Sequence, residues 1–212
     1  MEKLILVTND DGVSAKGIHA LAEVASSYGK VVVVAPDSPQ SGMGHAITIN
    51  HPLRLSKTDL FGNIEAYSCT GTPVDSVKLG IYEVLNCKPD LVLSGINHGE
   101  NSSTNVLYSG TMSAAIEGAM EGIPSIGFSL ADFDTNADFS AAKHFAGKTY
   151  MHLDTANRNR DHPVPNQNSN AASALWGDLS IDIVAGLHAN KIHTPTEIQV
   201  GPNVVPPSNC LI

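Results

Sequence analysis

What is scarce in this sequence narrows its class first. Its 212 residues hold three cysteines, Cys69, Cys87 and Cys210, widely spaced and with no CxxC pair. That argues against a zinc ribbon or a redox dithiol and fits buried or incidental thiols in a reducing compartment. No apolar run reaches the ~18 residues of a membrane span, and the start MEKLILVTNDDG has no basic segment followed by a long apolar stretch. No signal peptide and no membrane span are therefore expected, and the protein is expected in the cytoplasm. Basic residues are few: 12 Lys and Arg against 21 Asp and Glu, for a formal charge of −9. This argues against nucleic acid or an anionic membrane as the main partner. A small anionic substrate stays open, because a bound metal ion supplies local positive charge. Two nucleotide-binding signatures are also missing. There is no GxxxxGK[ST] loop, and Gly42-Met43-Gly44 stands alone rather than within GxGxxG. No internal repeat is visible.

What is present describes a globular chain, 42% apolar and 16% charged. Its length suits one domain with a substantial core, alone or with an appendage. Residues 4–7 form a short apolar run that stops at Thr8-Asn9-Asp10-Asp11-Gly12. Ile18, Leu21, Ala22 and Ala25 follow at helical spacing, and residues 31–35 form a second β-branched run ended by Pro36. Strand, helix, strand within about 35 residues is a βαβ unit and implies a parallel sheet. Residues 40–45 read as a Gly-rich loop, 46–49 and 53–55 as a short β excursion, and 67–69 as a further strand. Thr72 with Pro73 opens a helix reaching about Leu85. Residues 90–94 form a core strand ending at Gly95-Ile96-Asn97, residues 112–121 a helix, and 124–128 another core strand. The fold class expected is α/β, doubly wound and Rossmann-like, with a mostly parallel sheet.

Ligands in such sheets bind beyond the carboxyl ends of the strands, at a topological switch point. Asp10-Asp11 lies at one such end. Adjacent carboxylates there either bind a hard divalent cation through oxygen or form a solvated turn at the positive end of the next helix. Ser41 and Asn97 are neutral oxygen donors hard enough to complete a cation shell, or else loop hydrogen-bonders. Ser109, Gly110 and Thr111 open a helix whose N–H groups and hydroxyls suit a phosphate, or simply cap it. His45, beside the glycine loop, is the best acid/base candidate among nine histidines.

Five blocks occur in order: VTNDDG at 7–12, VVAPDSPQSGMGHAIT at 33–48, CTGTPVDSVKLG at 69–80, DLVLSGINHGEN at 90–101 and YSGTMSAAIEGAMEGIPSI at 108–126. Together they closely resemble the SurE family of stationary-phase survival phosphatases, over about residues 3–130. The resemblance implies a metal-dependent phosphomonoesterase acting on nucleoside 5′-monophosphates, often also on 3′-monophosphates, with some members trimming short polyphosphate. It implies one divalent ion, manganese or magnesium, held by Asp10, Asp11, Ser41 and Asn97. By the same resemblance Asn9, Gly42, His45, Asn101, Ser109, Gly110 and Thr111 line the phosphate pocket. Asp10 or Asp11 would also orient or deprotonate the water, with attack on phosphorus either by that water directly or through a covalent Asp.

Beyond about Gly147 the texture changes. Residues 148–212 hold eight of the sixteen Asn and six of the twelve Pro. The family's usual continuation, including a Leu-Asn-Val-Asn-Val-Pro-like strand, is not found there. The expected division is a catalytic core at 1–147 and an atypical, loop-rich segment at 148–212, with Arg158-Asn159-Arg160 and residues 163–170 irregular and only residues 181–187 docked as a strand or helix. The family builds dimers and tetramers from its C-terminal elements, so such assembly is doubtful for this chain. The competing reading is a non-catalytic nucleotide- or metal-binding protein that keeps the pocket but has lost assembly.

Overall fold

The computed structural model describes residues 2–134, 136–161 and 181–187. Among them, seven strands form one sheet in the order β3-β4-β2-β1-β5-β6-β7. The strands are β1 Leu4–Thr8, β2 Lys30–Pro36, β3 Leu55–Thr58, β4 Glu65–Cys69, β5 Leu91–His98, β6 Ser125–Leu130 and β7 Ile181–Leu187. Every neighbouring pair is parallel except β3 with β4. The helices are α1 Lys16–Ala25, α2 Pro73–Leu79, α3 Gly110–Met120 and α4 Ser140–Asp161.

The central strands are continuous apolar runs because both of their faces are covered. Ile5 and Val7 of β1 and Val33 of β2 pack with Ile18 and Leu21 of α1 and with Ala142 and Ala146 of α4. Leu6, Val32 and Val34 point the other way, onto Val77 of α2, Ile81 and Ala114 of α3. Each fully buried Ile, Leu or Val of this kind contributes about 1.5–3 kcal/mol. Trimming Leu6 to Ala would cost about 2–5 kcal/mol, since it empties the middle of the second layer.

The start of α2 follows the expectation. Thr72 Oγ1 accepts from the Asp75 backbone N–H at 3.1 Å, and the Asp75 carboxylate accepts from the Thr72 N–H at 2.9 Å. This reciprocal cap satisfies two N–H groups the helix cannot satisfy itself. After Leu79 the chain continues as a π-helical turn, Gly80–Leu85.

Four expectations are corrected. Residues 46–54 form no strand, and β3 begins only at Leu55. Strand β5 does not end at Ser94 but runs on to His98, with its register to β6 slipping between Ser94 and Asn97. Arg158-Asn159-Arg160 lies within α4 rather than in a loop. Packing also continues beyond residue 148: the Tyr150 ring stacks on Tyr28, centroids 4.3 Å apart. Residues 181–187 are a strand, paired parallel to β6, while 163–170 lie outside the described residues. Of the cysteines, Cys69 is buried and Cys87 exposed. Among the described residues no helix is long and apolar enough to cross a membrane.

Candidate active site

From β1 the chain crosses through α1 to β2 on one side, and later returns to place β5 on the other side of β1. The carboxyl ends of β1 and β5 therefore form the crevice where a doubly wound sheet binds ligands. Asn9, Asp10 and Asp11 follow β1 directly, Asn97 sits at the end of β5, and α3 starts immediately after Ser109.

Each of these side chains uses one atom to fix itself to the fold. Asn9 Nδ2 donates to the Gly12 carbonyl at 2.9 Å. Gly12 takes the left-handed φ of +96° that turns the chain away from β1. Asp10 Oδ1 accepts from the Thr111 hydroxyl, which ties β1 to the first turn of α3. Asp11 Oδ2 accepts from the His98 backbone N–H at 3.1 Å, which ties it to β5. Asn97 Nδ2 donates to the Gly99 carbonyl at 2.8 Å, leaving Oδ1 as its acceptor atom. Gly110 allows a close approach: a Cβ there would lie 2.7 Å from Asp10 Cβ. Ser109 caps α3, its Oγ accepting from the Met112 N–H at 3.0 Å.

The crevice is polar well beyond what the protein itself satisfies. Thr8 lies opposite Ser94 in the β1–β5 register, and both hydroxyls are buried without a hydrogen-bond partner. Asn9 Oδ1 and His98 Nε2 are in the same condition. A buried polar group left unpaired costs about 1–3 kcal/mol, so four spread over the adjacent strands β1 and β5 and the residue after β1 call for a ligand or ordered water. Charge adds to the cost. Burial pushes the Asp10 carboxyl up to about 6; the Thr111 hydroxyl opposes the rise and the Asp11 charge adds to it. Burial likewise raises Asp11, against the pull of the His98 backbone. Two destabilised carboxylates among neutral oxygens suit a small, hard cation. Among the described residues no three His, Cys, Asp or Glu side chains cluster, so any cation site here must draw on such neutral donors.

The remaining expected residues lie further out. Asn101 is buried and donates to Ser129 Oγ on β6 at 2.9 Å. Ser41 and Gly42 are exposed on the loop after β2. That loop is held to the site at one end, where the Gln40 N–H donates to the Asp10 carbonyl at 2.8 Å. His45 is drawn onto α3, its Nε2 2.7 Å from Glu117 Oε2. The sequence reading missed Glu117. Its one signal was an acid within the small-residue run of α3, where burial demands a partner.

The chain matches the family model described as Survival protein SurE over residues 5–176, well past residue 130 where the motif resemblance stops. It is 66% identical over 143 residues to a Cytophaga hutchinsonii protein described as 5′-nucleotidase SurE, covering 67% of this chain and 55% of that one. A Flavobacterium johnsoniae protein of the same description is 64% identical over 148 residues, 68% of this chain and 56% of that one. The chain thus spans about half the length of the curated relatives it matches. The crystal structure of a SurE protein from Aquifex aeolicus superposes with a TM-score of 0.65 at 43% identity, covering 71% of this chain and 59% of that one. With the family model matched over residues 5–176, 66% identity to a relative over two thirds of the chain and a shared fold, the chain belongs to the SurE family.

Proposed function

We propose that the chain is a metal-dependent phosphomonoesterase that hydrolyses nucleoside 5′-monophosphates in the cytoplasm, with 3′-monophosphates and short polyphosphate as further substrates. The observation that carries this reading is the carboxylate pair of buried Asp10 and half-buried Asp11, set beside unpaired oxygens at the switch point, with Asp10 directly against the N-terminus of α3. The names of the relatives point the same way.

Asp10, Asp11, Ser41 and Asn97 would hold one divalent ion, manganese or magnesium. When bound, it withdraws electron density from a phosphoryl oxygen and makes water a stronger acid. The chain's own residues supply the rest. The N–H groups of Gly110 and Thr111 face an anion at the positive end of α3 and oppose the charge that develops on the equatorial oxygens. Ser109 Oγ already accepts from Met112, so its hydroxyl hydrogen is left to donate to the phosphate. Asp10 or Asp11 would orient the attacking water or take its proton. The water oxygen adds to phosphorus, the ester P–O bond breaks, and the proton taken from the water passes to the departing oxygen, so that phosphate is released and the nucleoside leaves as an alcohol. Asn9, Gly42 and Asn101 complete the proposed phosphate pocket.

The test is phosphate release from AMP, GMP and p-nitrophenyl phosphate, with EDTA and then with manganese restored. Release abolished by EDTA and recovered with manganese supports the reading. Equal release in EDTA, or none under any condition, would reject it.

A further inference from the structure

Glu117 has no part in the chemistry above, yet it is a carboxylate only 3% exposed, deep on α3. Both of its oxygens are engaged. Oε1 lies 2.5 Å from Lys78 Nζ, and Oε2 lies 2.7 Å from His45 Nε2. The hydrogen bond to Glu117 holds the Lys78 ammonium above its ordinary range, so the lysine stays cationic. An ionised carboxylate only accepts, so His45 must carry a proton on Nε2.

The contact matters for where it sits in the loop. Gln40 pins the loop at one end, through its N–H on the Asp10 carbonyl. Beyond the tip the pins fall close together. The Gly44 N–H donates to the Tyr108 carbonyl at 3.1 Å, His45 meets Glu117, the Thr72 hydroxyl donates to the Ala46 carbonyl at 2.7 Å, and the Thr48 N–H donates to the Asp75 carboxylate at 3.1 Å. Between the two sets, Ser41, Gly42 and Met43 stand exposed, and a Cβ added at Gly42 would meet nothing within 4 Å. The order of Ser41 is therefore set by the pins. The Gln40, Gly44, Ala46 and Thr48 pins use loop backbone. His45 alone commits a loop side chain, and commits it to a buried charge, the stronger kind of hydrogen bond. Its distance from the chemistry points the same way. Glu117 lies six residues after Thr111, about 9 Å along the helix at ~1.5 Å per residue.

We propose that His45 and Glu117 form a positioning pair that holds the Ser41–Met43 tip over Asp10 and Asp11, and that His45 is a strut rather than the acid or base of the reaction. This rests on the cation site proposed above. It makes Glu117 the residue that couples the two sides of the site, since the same helix carries Gly110 and Thr111 at its start.

The experiment measures manganese affinity by titration calorimetry and the amide hydrogen exchange of residues 41–46, on the full chain and on His45→Ala, Glu117→Ala, the double variant and Asp11→Asn. Loss of either partner is expected to weaken manganese binding by about 10–100-fold, the range for groups that orient a metal ligand, and to speed exchange at 41–46. The double variant is expected to match the weaker single one, because the pair acts through one contact. His45 has a side chain one-third exposed, so its variant reads the contact even if Glu117→Ala unfolds. Unchanged affinity and exchange in His45→Ala, with binding lost in Asp11→Asn, would overturn the pair and leave the site standing. A fall in kcat with manganese affinity and exchange intact would also overturn it, by making His45 an acid or base. Binding retained in Asp11→Asn would instead reject the cation site, and the exchange data would then decide the pair alone.

Discussion

The polar residues at the strand ends fall into two groups that the fold treats in opposite ways. Asn9, Asp10, Asn97, Asn101, Ser109 and Thr111 are buried, while Ser41 and Gly42 stand in solvent just after Gln40, whose N–H donates to the Asp10 carbonyl. The buried group is placed by strand ends and a helix start, and its cost is visible in unpaired oxygens and raised carboxyl groups. The exposed group costs the fold almost nothing, and its placement depends on contacts made elsewhere. A site built this way has a rigid floor that lowers stability and a loop that does not. Function asks for both to meet on one ligand.

The largest effect should come from the floor. Asp11→Asn is expected to lower metal-dependent phosphate release from AMP by about 10²–10³-fold or more, on the scale of removing a group that acts on developing charge. Near-normal turnover at limiting manganese would show that the Asp11 carboxylate is not part of the machinery.

Next is the stability cost of Asp10. Its folded pKa of about 6 lies above the ordinary 3.8, so the folded state binds the proton more tightly. Well below pH 3.8 both states are protonated and there is no penalty. As pH rises from about 4 to 6 the unfolded state ionises first and the fold loses stability, to about 3 kcal/mol at the upper end. In EDTA, Asp10→Asn is expected to remove that slope and to be the more stable protein at pH 7 while losing activity. A variant that melts below wild type at pH 7 in EDTA would contradict the cost assigned to this carboxylate.

A smaller loss is expected from Gly110→Ala. The new Cβ would press within 2.7 Å of Asp10 Cβ, and overpacking of this kind costs about 1–3 kcal/mol. Chemical denaturation checks it, and an unchanged midpoint would mean that α3 can shift away from β1. Ser41→Ala should sharpen the contrast most. It is expected to weaken manganese binding while moving stability by no more than about 0.5 kcal/mol, as for most exposed substitutions. A destabilised Ser41→Ala would mean that the loop belongs to the floor after all.

Much of this was legible in the sequence for a physical reason. Strands buried on both faces must be apolar throughout, so β1 and β2 announce themselves, and the polar residues that stop β1 mark the edge where ligands bind. Thr72-Pro73 and the start of α3 carry cap chemistry that depends on neighbours in the chain. Contacts between distant residues were not legible. Nothing local to Thr111 says that its hydroxyl meets Asp10, or local to His45 that it meets Glu117. Gly95 looks like the end of a strand, yet β5 absorbs it in a register slip and carries Asn97 onward to the site, as bulges beside functional sites often do. Helix α4 is hard to read beyond residue 148 because its Asn- and Arg-rich sequence suggests a loop, while Tyr150 packs on Tyr28 from a position that composition cannot weigh.

The central claim is that one divalent ion is held at the carboxyl ends of β1 and β5. The most direct measurement is anomalous scattering from crystals of the full chain grown with manganese. One peak per chain is expected, with oxygens of Asp10, Asp11, Ser41 and Asn97 about 2.0–2.2 Å away, the spacing for a small hard cation. A peak bound by other residues, or no peak here in crystals of an active, manganese-dependent preparation, would contradict the claim.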